Sequence, residues 1–101
     1  MKPEKLIGLA ERVETGEDAD VEISDLLDVY VSLVARATTG SIDAAVALLE
    51  ETCHEQTLWS VKLRNDGLYE AIVGMWIGVA STAAAALVAA TLRELAEKEE
   101  G

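Results

Sequence analysis

The segment 71–92 constrains the fold most, because it contains no charged residue and continues directly from a strand pattern. Apolar and polar residues alternate over 59–64, as in a half-buried strand. Asn65, Asp66 and Gly67 then supply the chemistry of a turn. We therefore predict a β-hairpin, with strands at about 57–64 and 68–77, followed by an alanine-rich helix at about 82–99.

Two turn lengths suit this hairpin, and they give opposite registers. A two-residue turn at Asp66-Gly67 would place Glu70 opposite Leu63, on the apolar face. A three-residue loop at 65–67 gives the pairs Leu63–Tyr69, Val61–Ala71, Trp59–Val73 and Lys62–Glu70. We predict the three-residue loop, with Gly67 at its positive-φ position, because a one-residue slip reverses the face of every side chain. Burial of Trp59, Val61 and Val73 is expected to fix this register.

The outer face of the predicted hairpin is partly apolar, since Leu58, Ile72 and Trp76 lie there beside polar residues. One interpretation is that a helix or a loop covers this face. The other is a contact surface, including strand-edge pairing between two chains. The second interpretation describes a structural or self-assembling protein, in which Leu58, Ile72 and Trp76 mediate a homodimer.

A membrane span is the alternative for the uncharged segment, which is long enough to cross a bilayer and contains Gly74-x-x-x-Gly78. Its small residues drive insertion weakly, however, and Ser81-Thr82 is typical of a helix start. We therefore predict a domain outside the membrane. The small residues of the last helix allow a sheet to approach closely. Its predicted inner stripe is Ala84, Val88, Thr91, Leu92 and Leu95.

Three amphipathic helices are predicted before the hairpin, at about 3–13, 20–36 and 42–53, with Ser41 as the N-cap of the third. The expected buried residues are Leu6, Leu9, Ala10 and Val13 in the first, Ile23, Leu27, Tyr30, Val31 and Val34 in the second, and Ile42, Ala45, Val46, Leu49 and Cys53 in the third. Because Phe is absent, the expected bulky core members are Trp59, Trp76, Tyr30 and Tyr69. The 101 residues are predicted to form a single α+β domain.

Acidic residues outnumber basic ones by 19 to 8, which gives a net charge of −11. Direct binding to nucleic acid or to an anionic membrane is disfavoured, because both need a basic face. No basic residue lies between Arg12 and Arg36. The acidic candidates in this interval are Glu17, Asp18, Asp20, Glu22, Asp25 and Asp28. They form either a solvated face near a helix N-terminus or a docking face for a protein with a basic surface.

No catalytic, cofactor or metal motif stands out. Glu51-x-x-His54 is half of a di-iron carboxylate motif, but the complete site needs a second copy and His54 is the only histidine. Cys53 and His54 are neighbours in a predicted helix and point about 100° apart, so they do not form a nucleophile–base pair. The single cysteine allows no internal disulfide. We therefore predict a protein that is not an enzyme and that has no cofactor.

A series of short motifs resembles small uncharacterised proteins of bacteriophages and prophages of alphaproteobacteria. The motifs are Leu6-Ile7-x-x-Ala10-Glu11, the stretch 39–48 beginning Thr39-Gly40-Ser41-Ile42-Asp43, Trp59-Ser60-Val61, the stretch 78–87 beginning Gly78-Val79-Ala80, and Ala90-x-Leu92-Arg93. They follow that family's TxSLDAA helix start, tryptophan strand and GxAxTPALAL entry to a C-terminal helix. This chain departs from the pattern in carrying Ala83 where those proteins often have proline.

The resemblance implies a phage-derived accessory role, and it carries over no activity and no site residues. With no signal pattern at the N-terminus, the cytoplasm of a bacterial host is the expected location. Our leading hypothesis is an inhibitor of a host defence or nucleic-acid-handling complex, similar to anti-CRISPR proteins. In that hypothesis, the six acidic candidates occupy a basic surface of the protein partner.

Overall fold

The computed structural model describes residues 3–53 and 58–100, and it confirms the predicted α+β class. Its helices are α1 (Pro3–Thr15), α2 (Asp20–Leu27), α3 (Val31–Thr38), α4 (Ile42–Thr52) and α5 (Ala83–Glu100). Its strands are β1 (Trp59–Leu63), β2 (Tyr69–Val73) and β3 (Trp76–Ala80), which form an antiparallel sheet in the order β1-β2-β3. Residue 57, where the first strand was predicted to begin, lies outside the described residues.

Helix α5 is the central element, because it packs against the sheet and also against α1 and α4. The Thr82 hydroxyl accepts a hydrogen bond of 3.1 Å from the Ala85 N–H and caps the first turn. Every residue from 84 to 92 is buried, and the whole predicted inner stripe is buried with them. A helix surrounded by protein needs apolar residues on all sides, which accounts for the absence of charge in this segment.

Strand β3 lies unusually close to α5, as the small residues of this helix led us to expect. A Cβ atom added to Gly78 would lie 2.2 Å from the carbonyl oxygen of Ala86 and 2.6 Å from the amide nitrogen of Ala90. Gly78 therefore serves the packing of a sheet on a helix. In the part of the chain that the structure describes, no helix has the length and apolar character that crossing a bilayer requires.

The register predicted for the first hairpin is confirmed at every pair, from Trp59–Val73 to Leu63–Tyr69. Gly67 has a φ of 87°, and the Arg64 N–H bonds the Leu68 carbonyl across a three-residue loop. The second predicted strand is wrong in its distal part. Gly74, with a φ of 61°, opens a two-residue turn that pairs Val73 with Trp76, so 68–77 contains parts of two strands.

The aromatic residues do not form the centre of the core, contrary to the prediction. Tyr30 is 84% exposed and Trp59 is 42% exposed, while Trp76 is exposed at the sheet margin and Tyr69 is half-buried. The core consists mainly of Leu, Ile, Val and Ala instead, together with Cys53. Because α5 approaches the sheet so closely, methyl groups fit between the two layers and rings do not. Val73 and Ala71, rather than Trp59, bury the inner face of the hairpin.

The predicted helix at 20–36 is in fact two helices, which separate at Asp28. This residue adopts a left-handed conformation, with a φ of 55°, and ends α2. The break turns Tyr30 and Val31 outward, whereas Ile23 and Val34 of the predicted stripe remain buried. In α4, Ser41 caps the N-terminus as predicted, but Ile42 is exposed.

Replacing Asp28 with glycine is expected to increase the free energy of unfolding by about 0.5–1 kcal/mol, because glycine adopts positive φ without strain. Urea unfolding followed by circular dichroism measures this change. The matched control is Asp25→Gly inside α2, which is expected to destabilise the protein by about 1 kcal/mol. Equal destabilisation by both substitutions would show that residue 28 is not left-handed.

Candidate protein-binding surface

The six acidic candidates lie on α2, at its C-terminal cap and on the loop that precedes it. We call Glu17, Asp18, Asp20, Glu22, Asp25 and Asp28 the acidic surface. Asp20 is half-buried and the other five are exposed. Within α2, Glu22 and Asp25 are three positions apart and so lie on one face of the helix, and both are exposed, whereas Ile23 is buried. The exposed residues of α2 are these two acids and Val21, which is 61% exposed.

Two members of the acidic surface also stabilise local structure. The Asp18 carboxylate accepts a hydrogen bond of 3.1 Å from the Asp20 N–H at the start of α2. The Asp20 carboxylate accepts a hydrogen bond of 2.8 Å from the Thr38 hydroxyl and so connects α2 to α3. The other four acids, Glu17, Glu22, Asp25 and Asp28, make no such hydrogen bond within the described residues. Glu17 and Glu22 form ion pairs with Arg12, whereas no ion pair within the same residues engages Asp25 or Asp28.

Arg12 lies within the acidic surface, although the sequence suggested only that it bounds the acidic interval. Its guanidinium lies 3.8 Å from the Glu17 carboxylate and 3.5 Å from the Glu22 carboxylate, and it also donates to the Asp18 carbonyl. The chain reverses at Gly16, whose φ is 82°, and this brings residues 17–22 past Arg12. A glycine directly after a helix is the sequence signal that could have revealed this contact.

A groove of about 540 Å³ lies between α1 and α2, beside the acidic surface. Its apolar lining comes from Gly8, Leu9 and Leu26. Its charged lining comes from Lys5, Arg12, Glu22 and Asp25. An apolar recess edged by charges of both signs has the composition of a protein–protein contact, where a buried apolar centre is surrounded by a polar rim.

The alternative apolar surface of Leu58, Ile72 and Trp76 is not one surface, and the prediction that Trp76 lies on the outer face is wrong. The turn at Gly74-Met75 moves Trp76 to the same face as Val73, and its indole N–H donates to Glu97 of α5 at 2.5 Å. Ile77 takes the outer position opposite Ile72 instead. Leu58 is exposed, and Ile72 is half-buried.

Glu14 and Arg93 form a polar cluster that the sequence did not reveal. Two oxygens of the Glu14 carboxylate accept hydrogen bonds of 2.6 Å from the Arg93 guanidinium. The carboxylate also accepts from the Val79 N–H at 2.8 Å, and Arg93 donates to the Ile77 carbonyl at 2.8 Å. The pair therefore covers the outer edge of β3. Its members are 79 positions apart, so no local pattern signals it.

The remaining candidates for reactive chemistry give no assembled site in the described residues. Cys53 is buried, and this burial raises the pKa of its thiol, so the group is protonated at neutral pH. His54 lies outside the described residues, and with it the second half of the Glu51-x-x-His54 motif. Among the residues described, no group of three or more His, Cys, Asp or Glu side chains is arranged to hold a metal ion.

Comparisons with protein-family models, with curated proteins and with solved structures found no match to this chain.

Proposed function

We propose that this chain is a non-enzymatic protein that binds a basic surface of another protein through its acidic surface. One observation carries the proposal: six acidic residues lie on α2 and its flanking residues, and the one guanidinium among them, that of Arg12, pairs with only two of their carboxylates, those of Glu17 and Glu22. Fixed charges on one side of a small domain attract an oppositely charged partner and raise the association rate, an effect that salt weakens.

The groove between α1 and α2 supports a protein partner over a simple polycation. Charge alone gives little discrimination between basic partners, whereas an apolar recess accepts a particular side chain. Gly8 and Leu26 line this recess directly beside Glu22 and Asp25. A partner that places basic residues on the acidic surface and an apolar residue in the groove would use both features.

The specific version of the proposal is a phage-type accessory protein that inhibits a host defence or nucleic-acid-handling complex in the bacterial cytoplasm. The phage-like sequence motifs support the source, and the acidic surface supports the mode of action. A basic surface that holds nucleic acid is built to bind negative charge, and exposed carboxylates can occupy it in place of phosphates. The same net charge of −11 disfavours direct nucleic-acid binding by this chain.

Affinity capture from a bacterial lysate tests the proposal with three baits. The first is the wild-type chain. The second carries Glu17→Gln, Glu22→Gln, Asp25→Asn and Asp28→Asn, and it keeps Asp18 and Asp20 because they make structural hydrogen bonds. The third is a matched control with four other exposed acids neutralised: Glu4→Gln, Asp43→Asn, Glu50→Gln and Glu51→Gln.

We expect a protein that the wild type and the control both retain. Its affinity for the acidic-surface variant is expected to be lower by about tenfold or more. Rising salt is expected to release this protein. If all three baits retain the captured proteins equally, the acidic surface is not the binding site. If the control loses them as well, net charge rather than position determines the binding.

A further inference from the structure

The two edge strands of the sheet, β3 and β1, differ in whether side chains cover their outward backbone groups. The outer edge of β3 is covered by the Glu14–Arg93 pair, which bonds Val79 and Ile77. On either side of β1, the Arg64 N–H donates to the Leu68 carbonyl and the Leu58 carbonyl accepts from the Gly74 N–H. The backbone groups of the even-numbered residues from 58 to 64 therefore face β2. The backbone groups of 59, 61 and 63 therefore point away from the sheet.

No hydrogen bond from another described residue reaches those outward backbone groups of β1. The apolar side chains of the same residues are also incompletely covered. Trp59 is 42% exposed, Leu63 is 63% exposed and Val61 is half-buried between them. An edge strand that is unpaired and apolar is a template for another strand, and proteins ordinarily protect such edges.

We propose that β1 pairs antiparallel with β1 of a second copy of this chain, about a two-fold axis at Val61. Val61 then faces its own copy, Trp59 faces Leu63, and Ser60 faces Lys62. The three residues whose backbone groups point outward form the hydrogen-bonded pairs of this register. The result is one continuous six-stranded sheet across the dimer, twice the three strands of a single chain.

The sequence of β1 suits pairing with itself in this register. The two most exposed apolar residues of the strand, Trp59 and Leu63, cover each other twice because of the symmetry. Lys62 faces a serine, so no like charges meet across the new pair, and its ammonium already lies 3.4 Å from Glu70. A shift of two residues in either direction would leave a Trp59 or a Leu63 without its apolar partner.

The charge distribution also favours a second copy at this edge, because the acidic surface, which would repel another copy, lies elsewhere. The acidic surface belongs to α2 and the residues that flank it, and α2 packs against α3 rather than against the sheet. The β1 edge instead carries Lys62 and Arg64. A foreign strand added to the same edge is the competing occupant, but it would lack the reciprocal Trp59–Leu63 contact.

Sedimentation equilibrium of the purified chain tests the association. Because a five-residue edge makes a small interface, we expect a monomer–dimer equilibrium with a dissociation constant on the order of micromolar or weaker. Leu63→Glu is expected to abolish the dimer at the same concentrations. Met75→Glu is the matched control, because it adds the same charge at the β2–β3 turn, where Met75 is 78% exposed. This substitution is expected to leave the dimer intact.

Disulfide trapping tests the register in a Cys53→Ala background. Ser60 and Lys62 of the two copies form a non-hydrogen-bonded pair, whose Cα separation of about 4.5 Å allows a disulfide. Mixing a Ser60→Cys chain with a Lys62→Cys chain under oxidation is expected to give a covalent dimer, and neither chain alone is expected to do so. A wild-type chain that is monomeric throughout, a dimer that survives Leu63→Glu, or trapping without this pairing would each overturn the proposal.

Discussion

Gly78→Ala is expected to lower the free energy of unfolding by about 4 kcal/mol, a large part of the roughly 5–15 kcal/mol that ordinarily stabilises a domain. The added Cβ would lie 2.2 Å from the Ala86 carbonyl oxygen and 2.6 Å from the Ala90 nitrogen. Both are backbone atoms in the middle of α5, so neither can move without displacing the helix. Relief requires β3 to move away from α5, which separates the sheet from the core.

Gly8→Ala is the matched control for this substitution. A Cβ at Gly8 meets no atom within 4 Å, and the residue lies inside α1. The control is therefore expected to stabilise the protein by about 1 kcal/mol, the difference in helix propensity between alanine and glycine. Urea unfolding followed by circular dichroism measures both. A loss of less than about 1 kcal/mol for Gly78→Ala would contradict the close packing of β3 on α5.

Glu14→Ala is expected to give the second largest loss, about 3 kcal/mol. It leaves the largely buried Arg93 guanidinium without its carboxylate, and it removes the acceptor of the Val79 N–H. The Lys62–Glu70 pair provides the control, because Lys62 is exposed and Lys62→Ala is therefore expected to cost less than about 1 kcal/mol. Equal effects in thermal unfolding would show that the Glu14–Arg93 pair does not hold the β3 edge.

The same pair gives the stability a defined pH dependence. Burial alone would raise the pKa of Glu14, but the hydrogen bonds from Arg93 and from the Val79 N–H outweigh burial and hold the pKa below its ordinary value of 4.5. As the pH falls, the Glu14 carboxylate is therefore protonated at a higher pH in the unfolded chain than in the folded chain. The stabilisation is present above about pH 4.5 and is lost as the pH falls through the folded pKa. Glu14→Gln is expected to make the free energy of unfolding fall less steeply as the pH decreases.

The parts of the fold that the sequence predicted depend on local chemistry. Alternation over 59–64 and the turn chemistry of Asn65-Asp66-Gly67 together determined the β1–β2 register. The capping positions Ser41 and Thr82 were visible for the same reason, because a side-chain oxygen acts on amides only a few residues away. The stripe of α1, from Leu6 to Val13, followed from helical periodicity.

The missed features depend on contacts that are distant in sequence or on an unsignalled backbone break. Gly74 lies within an uninterrupted uncharged run, so its turn did not stand out from a longer strand. Asp28 adopts a left-handed conformation, although no glycine or proline in the sequence marks a break at this position. The exposure of Trp59 reflects the position of α5, which packs mainly against β2 and β3 and leaves the edge strand β1 less covered. The exposure of Tyr30 follows from the break at Asp28. Neither is visible as a sequence pattern.

The members of the acidic surface were chosen from the sequence, because charge can be counted along a chain, but the contacts among them were not predicted. The sequence suggested a base-free interval, whereas the folded chain places Arg12 among those acids. The difference between the two sheet edges was not predicted either. The cover of β3 joins Glu14 to Arg93 across most of the chain, and the contrast with β1 exists only once the sheet has formed.

Chemical-shift mapping by NMR tests the central claim most directly, with the ¹⁵N-labelled chain titrated with the protein captured from lysate. The account expects the largest amide shifts at residues 17–28 and along the groove at Gly8 and Leu9. These shifts are expected to disappear for the variant with Glu17, Glu22, Asp25 and Asp28 neutralised. Shifts that centre elsewhere in the chain, with residues 17–28 unchanged at saturation, would contradict an acidic docking surface.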